Sequence, residues 1–268
     1  MSFVIANSFI EQLRYGWQLV NGEREKHERW LFEMRQRDIA PFVNGCPRLK
    51  ILDLANGRLR PQYMLLQAAG HKVYGIDLIN RPEHGRVETS YRLARWLYAR
   101  NISISVRDSN SPLICGSVAQ LPLASDGLDL VTSIAAFEHF YDVAGVVAEI
   151  HRVLRPGGVA WVLVHLFTSL SGGHNISLAE TPLRNIPRGV EPWDHLRKRR
   201  LAFHVPLNEW RQEQFLQAFS EHFEIIKQYC AMREGEEFLT PTIECELADY
   251  NRDELTCGAY VILARKSP

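Results

Sequence analysis

Four short apolar runs alternate with helix-like segments through the middle of the chain, and this alternation limits the folds that the chain can adopt. The apolar runs lie at 50–54, 72–76, 128–134 and 159–166. The segments between them with helix-like spacing lie at about 60–69, 90–100 and 143–153. Strands that alternate with helices in this way predict βαβ units and a parallel sheet.

The two ends of the chain have different patterns. Helical spacing is predicted from about Ser8 to Ala40, on the apolar residues Phe9, Leu13, Trp17, Leu31 and Met34. We expect residues 1–45 to form an N-terminal helical cap and residues 46–268 to form the main domain. Two further strand candidates, 222–229 and 258–264, close the chain.

Composition excludes several classes of partner. The 268 residues are 46% hydrophobic, which is enough for one large core. Lys plus Arg and Asp plus Glu balance at 31 each, so no net field favours nucleic acid or an anionic membrane. The five cysteines are scattered without a C-x-x-C pair, which indicates reduced thiols. We expect a soluble cytoplasmic protein without a nucleic-acid or membrane partner.

The turn after the first strand, in "KILDLANGRLR" (50–60), is typical of a nucleotide-binding loop with a single glycine, Gly57. Pro61 suits a first helical turn and Gly70 a helix end, so a helix is predicted to begin right after Gly57. Its free N–H groups would favour an anionic group. Asp77, at the end of the second strand, suits ribose hydroxyls. These features do not decide between cofactors, although the G-x-G-x-x-G dinucleotide fingerprint is absent.

Four segments resemble, in order, the class I S-adenosylmethionine-dependent methyltransferases, particularly the type 11 methyltransferase domains. They are "ILDLANGRL" (51–59), "VYGIDL" (73–78), "GSVAQLPLASDGLDLVTSIAAFEHFYD" (116–142) and "EIHRVLRPGGVAWVLV" (149–164). The resemblance implies a Rossmann-like fold with helices on both faces of a seven-stranded, mostly parallel sheet that ends in an antiparallel hairpin. It also implies S-adenosyl-L-methionine as cofactor.

The same resemblance implies roles for individual residues. Residues 53–59 would wrap the methionine end of the cofactor, Asp77 would take the ribose, and residues 133–135 would line the methyl-donor channel. The implied cofactor-binding residues are Asp53, Ala55, Asn56, Gly57, Arg58, Asp77, Leu78, Ser117, Val118, Ser133 and Ala135. Three positions depart from the family pattern: Ala55 and Leu59 replace glycines, and Ser117 replaces an aspartate. Alanine at 55 predicts a negative φ there.

A hydroxyl acceptor would need a base, and histidine is the side chain best suited to that role at neutral pH. His165, at the end of the fifth strand, is the first candidate, and His139 is the second. His174 and His195 lie on the segment that follows. Asp142, Asp194 and Glu138 could serve a divalent ion, but no spacing singles them out, so no metal site is predicted.

The segment from Phe167 to about Asn208 is too long for an ordinary connection, and we expect this capping insertion, at about 167–208, to cover the substrate. Its basic run, "RKRR" (197–200), is either a solvated face or a site for a phosphate-bearing substrate. Aromatic and polar residues in it suit a sugar or a ring-bearing small molecule. The predicted function is O-methylation of a sugar, glycan or other small-molecule hydroxyl, with N- and C-methylation as variants. The alternatives are a degenerate methyltransferase-like binding module and, more remotely, an NAD-dependent oxidoreductase.

Overall fold

The structure is a computed structural model, and it describes most of the chain in two compact units. Described residues are 17–18, 20–43, 46, 48–80, 86–102, 112–175, 186, 189–203 and 205–268. The first unit is Met1–Val118 with Gly127–Val131, and the second is Ala119–Asp126 with Thr132–Pro268. Within the described residues, every helix is too short or too polar to cross a membrane.

The main described helices and strands of the first unit precede β4. They are α1 (Glu23–Val43), β1 (Lys50–Leu54), α2 (Pro61–Ala68), β2 (Lys72–Asp77), α3 (Arg86–Asn101) and β3 (Leu113–Cys115). β2 pairs in parallel with both β1 and β3. The register places Leu54 beside Ile76 and Asp77 beside Cys115, so the carboxyl ends of these strands lie together.

β4 (Leu128–Ile134) begins in the first unit and ends in the second. The later elements are α4 (Val143–Val153), β5 (Leu154–Val164), α5 (Asp194–Arg197), α6 (Gln212–Ser220), β6 (Glu224–Arg233), α7 (Pro241–Glu246), α8 (Arg252–Leu255) and β7 (Cys257–Arg265). β7 pairs antiparallel with β5 and with β6.

The seven strands follow the order β3-β2-β1-β4-β5-β7-β6. This order confirms the predicted fold, a mostly parallel sheet that ends in antiparallel strands. β1 and β5 lie in the middle of the sheet because they are apolar on both faces. Ile51, Leu52 and Leu54 of β1 are fully buried, and so is nearly all of β5 after Gly158.

Several elements differ from the predictions. α2 begins at Pro61, three residues later than predicted, because residues 57–59 form a turn. The predicted N-terminal helix runs to Val43, with Pro41 inside it, and residues 8–16 of that prediction lie outside the described residues. Of the apolar residues on which that prediction rests, Leu31 and Met34 are buried, whereas Trp17 is 66% exposed. β3 and α6 were not predicted.

Candidate functional site

The turn that follows β1 is built from residues with left-handed backbone. φ is 56° at Ala55, 66° at Gly57 and 57° at Arg60. The prediction of a negative φ at Ala55 is therefore wrong. The Ala55 N–H donates to the Ile76 carbonyl (2.8 Å), and this tie to β2 holds an alanine in a conformation that costs roughly 1–2 kcal/mol.

Asp77 joins the end of β2 to this turn. Its Oδ2 accepts a hydrogen bond from the Gly57 N–H (2.9 Å), and its Oδ1 accepts one from the Ile79 N–H (3.0 Å). Each carboxylate oxygen can accept a second hydrogen bond, so both can still receive a ligand hydroxyl. The structure thus brings together two predicted cofactor residues, Gly57 and Asp77, and Asp77 is only half-buried.

Asn56 lies in the turn with its side chain buried. Its Oδ1 accepts a hydrogen bond from Asn80 Nδ2 (3.2 Å), while its own Nδ2 has no partner among the described residues. A Cβ on Gly75 would lie 2.4 Å from that Nδ2, so only glycine leaves room for Asn56 there. The turn thus contains a buried amide donor without a partner in the described chain, and Asp77, bonded to the Gly57 N–H of the same turn, offers acceptor oxygens.

Asp53 lies deeper, among charged residues of α1. Its side chain is 4% exposed, and Arg35 and Glu28 are equally buried. Burial raises the pKa of Asp53 to about 7 against the opposing effect of Arg35, and burial lowers the pKa of Arg35 to about 10. A carboxylate at the end of β1 could either organise the turn or receive a cation, and this burial favours the first role. Sequence reasoning missed Arg35, because charged residues of a helix usually face water.

The remaining predicted cofactor residues differ in exposure. Leu78 is 68% exposed, Ser117 and Ala135 are exposed, Val118 is half-buried and Ser133 is fully buried. The Arg58 guanidinium lies over the Tyr91 ring at 5.5 Å, and the backbone carbonyl of Arg58 accepts a hydrogen bond from the Arg95 side chain. Ser133 and Ala135 belong to the second unit.

Three histidines of the second unit, His139, His165 and His174, lie side by side, and we refer to them as the histidine cluster. The ring centres of His139 and His174 are 5.0 Å apart, and those of His165 and His174 are 4.9 Å apart. His139 ends a short 3-10 helix after β4, and His165 directly follows β5. All three histidines were singled out as candidates from the sequence, but their contact was not predicted.

The sequence "SGGH" (171–174) brings His174 to the other two rings. A Cβ on Gly172 would lie 2.3 Å from the Leu166 and Phe167 carbonyl oxygens, and a Cβ on Gly173 would lie 2.6 Å from His195. Both positions therefore need glycine, and the chain turns back closely enough to place His174 beside His165. The glycine pair was the local signal that sequence reasoning could have used.

Hydrogen bonds fix the orientation of two of these rings. His139 Nδ1 donates to the Pro206 carbonyl (2.8 Å), which leaves the lone pair on Nε2. The Ser171 hydroxyl donates to Glu234 Oε1 (2.7 Å), so His165 Nε2 must be the donor in its 2.8 Å bond to Ser171 Oγ. His165 is 4% exposed, whereas the side chain of His139 is 31% exposed.

Burial shifts the ionisation of this group strongly. Burial first, and the neighbouring histidines second, lower the pKa of His165 to about 3 and that of His174 to about 4. Burial also raises the pKa of Glu138, next to His139, to about 8. His195 is separate: burial lowers its pKa to about 4, and its Nε2 bonds to the Phe167 carbonyl (2.8 Å).

Other candidate residues have structural partners. Asp142 caps α4 by accepting the Gly145 N–H (2.8 Å), and Asp194 Oδ2 accepts the N–H groups of Arg200 and Leu201. The basic run is paired throughout, in the contacts Arg197–Glu246, Lys198–Glu191, Arg199–Glu209 and Arg200–Glu191. These pairs favour the solvated-face interpretation over a phosphate site.

Comparison with known proteins identifies the fold and its family. Residues 52–162 match the family described as Methyltransferase domain. The solved structure of an S-adenosylmethionine dependent methyltransferase from Mesorhizobium loti superposes with a TM-score of 0.52 at 21% identity, covering 86% of this chain and 96% of that one. Residues 52–162 thus match a methyltransferase domain, and the fold is that of the class I S-adenosylmethionine-dependent methyltransferases.

Two curated relatives align with this methyltransferase domain. A Mycolicibacterium smegmatis protein described as a probable S-adenosylmethionine-dependent methyltransferase is 32% identical over 114 residues, 42% of each chain. Sterol 24-C-methyltransferase ERG6B of Gibberella zeae is 29% identical over 145 residues, 54% of this chain and 33% of that one. The chain thus spans less than half the length of these two relatives.

Proposed function

We propose that the protein is an S-adenosylmethionine-dependent methyltransferase whose acceptor is a hydroxyl of a small molecule, such as a sugar or glycan. When bound, S-adenosylmethionine supplies a methyl carbon that an acceptor oxygen attacks, while the carbon–sulfur bond breaks and its electron pair stays on sulfur as S-adenosylhomocysteine forms. In the first unit, Gly57, Asn56 and Asp77 would hold the cofactor. The observation that carries the choice of a hydroxyl acceptor is the histidine cluster, because such an acceptor must lose a proton.

His139 is the better-suited base within the cluster. Its Nε2 keeps a lone pair, and its side chain is partly exposed. His165 is buried, and a group whose pKa is about 3 is a weak base at neutral pH. We propose that His139 accepts the hydroxyl proton and that His165 holds the neighbouring ring of His174 in place.

The capping insertion remains part of this proposal. Its described residues include buried aromatic side chains, Phe167 and Trp193, and the polar turn of the histidine cluster. A segment of this kind can exclude water from a reacting hydroxyl and select the acceptor.

A second candidate function is a binding module that has lost catalysis. The observation in its favour is the altered turn, with a strained Ala55 and with Leu59 buried where the family has glycine. Such a module would bind the cofactor weakly or not at all, so cofactor affinity separates the two candidates.

Methyl transfer from labelled S-adenosylmethionine to a panel of sugars and hydroxylated small molecules tests the first proposal. We expect label in product with at least one hydroxyl acceptor, and a loss of about 10²–10⁴-fold in turnover for His139→Gln. The control is His195→Gln, at a buried histidine of the second unit that is not in the histidine cluster, and this variant should retain turnover. Product analysis by NMR distinguishes a methyl ether from a methyl group on carbon or nitrogen. Label found only on carbon, or equal turnover in His139→Gln and the control, would refute the assignment.

A further inference from the structure

Glu138 places a carboxyl group in the interior of the second unit. The residue is 1% exposed, and neither oxygen has a hydrogen-bond partner in the described part of the chain. The backbone N–H groups of Glu138 and His165 lie near it without forming such a bond. A carboxyl group buried without a partner either keeps its proton, as the raised pKa of Glu138 indicates, or needs a positively charged partner such as a metal ion.

Two imidazole rings, those of His139 and His174, lie next to this carboxylate. His139 Nε2 is 3.8 Å from Glu138 Oε1, and the bond from its Nδ1–H to the Pro206 carbonyl keeps the lone pair on Nε2. Metal-binding histidines are typically held by this kind of bond to a backbone carbonyl. His174 Nε2 is buried and has no hydrogen-bond partner within the described residues.

The ligand atoms of Glu138, His139 and His174 all lie within 4.8 Å of one another. We infer that these three residues bind one divalent transition-metal ion, with zinc as the best match. Two imidazoles and one carboxylate form a ligand set for zinc or iron(II), whereas magnesium and calcium prefer oxygen ligands alone. Three protein ligands leave a position on the ion open.

His165 supports this site from outside. Its Nε2–H is committed to Ser171, and its ring packs against His174 at 4.9 Å. The bond from Ser171 to Glu234 extends this support to a second buried carboxylate, and Ser171 lies in the same tight turn as His174. The cluster therefore contains ligands on one side and a hydrogen-bonded support on the other.

The consequence for catalysis rests on the proposed function. A hydroxyl bound at the open position of the ion would become more acidic and would release its proton to solvent. The ion would then take over from His139 the task of activating the acceptor, and His139 Nε2 would be a ligand instead of a base.

Metal content and zinc binding test the inference directly. The full chain, freed of any affinity tag, should contain close to one equivalent of zinc or iron by mass spectrometry. After chelation it should bind one Zn²⁺ in a competition titration. Glu138→Gln and His174→Gln should each weaken this binding by roughly 100-fold or more, since losing only a group that hydrogen-bonds to a metal ligand already costs about 10–100-fold. The controls His195→Gln and Asp142→Asn should bind Zn²⁺ like the unchanged chain.

Two further readouts keep the test decisive. If Glu138→Gln fails to fold, as judged by circular dichroism, His174→Gln and the visible spectrum of the Co²⁺-loaded unchanged chain report the ligands. Metal content far below one equivalent, or equal Zn²⁺ affinity in the unchanged chain and His174→Gln, would overturn the inference. Methyl transfer that persists at full rate after chelation would count against the ion and leave the proposed function intact. A chain that binds the ion and transfers no methyl group would count against the proposed function alone.

Discussion

At the scale of single residues, Asp77 connects the turn that follows β1 to the sheet. Asp77→Ala should weaken S-adenosylhomocysteine binding by about 1.5–3 kcal/mol, because it removes the acceptor for ligand hydroxyls and the tie to Gly57. Calorimetry measures the change. Asp129→Ala is a matched control, since Asp129 Oδ2 also accepts a backbone N–H, that of Lys50, at the other end of β1. Equal affinity in Asp77→Ala and the unchanged chain would refute the role.

Asp53 makes stability depend on pH. With a pKa of about 7, set by burial and modified by Arg35, Glu28 and Asp77, it holds its proton to a higher pH in the folded chain than in the unfolded chain. Asp53 should therefore lower the free energy of unfolding as the pH rises from about 4 to about 7, by a few kcal/mol at most. Urea titrations across this range should show the unchanged chain losing stability relative to Asp53→Asn. Parallel curves for the two proteins would contradict the prediction.

At the scale of elements, α4 depends on its N-cap. Asp142 accepts the Gly145 N–H, so Asp142→Ala should lower the free energy of unfolding by about 0.5–2 kcal/mol. Asp142→Asn keeps an acceptor and should cost much less. Urea denaturation measures both, and an equal loss for the two variants would show that charge, not capping, sets the stability of this helix end.

The capping insertion is anchored by Trp193. The side chain is fully buried in a cluster with Leu170, Leu239 and Leu255, and its Nε1 donates to the Leu255 carbonyl (3.2 Å). Trp193→Ala should lower the free energy of unfolding by about 3–5 kcal/mol, the usual range for the loss of a large core side chain. A loss below about 1 kcal/mol in thermal or urea unfolding would mean that the insertion opens without disturbing the second unit.

At the scale of the whole molecule, the sequence was most informative where one local signal determined the structure. β1, β2 and β4 coincide closely with apolar runs, and β6 and β7 pair antiparallel as the resemblance implied. β3 was missed because three residues carry no period. Pro61 was correctly assigned to the first turn of a helix. The helix begins at Pro61 and not right after Gly57, because residues 57–59 form a turn.

The site depended more on tertiary contacts that no local pattern encodes. Ala55 adopts a positive φ because a hydrogen bond to β2 overrides the preference of alanine. Arg35 and Asp53 lie close in space although they are 18 positions apart in the sequence. Likewise, His139, His165 and His174 come from three different segments, and a glycine pair decides their meeting.

The most direct measurement of the central claim is a calorimetric titration of the full chain with S-adenosylhomocysteine. If the domain holds the cofactor as proposed, binding will saturate at one equivalent per chain and will raise the unfolding temperature as ligand is added. The same titration on Asp77→Ala should give clearly weaker binding. The absence of saturable binding and of any thermal shift in the folded, unchanged chain would contradict the claim and favour the degenerate binding module.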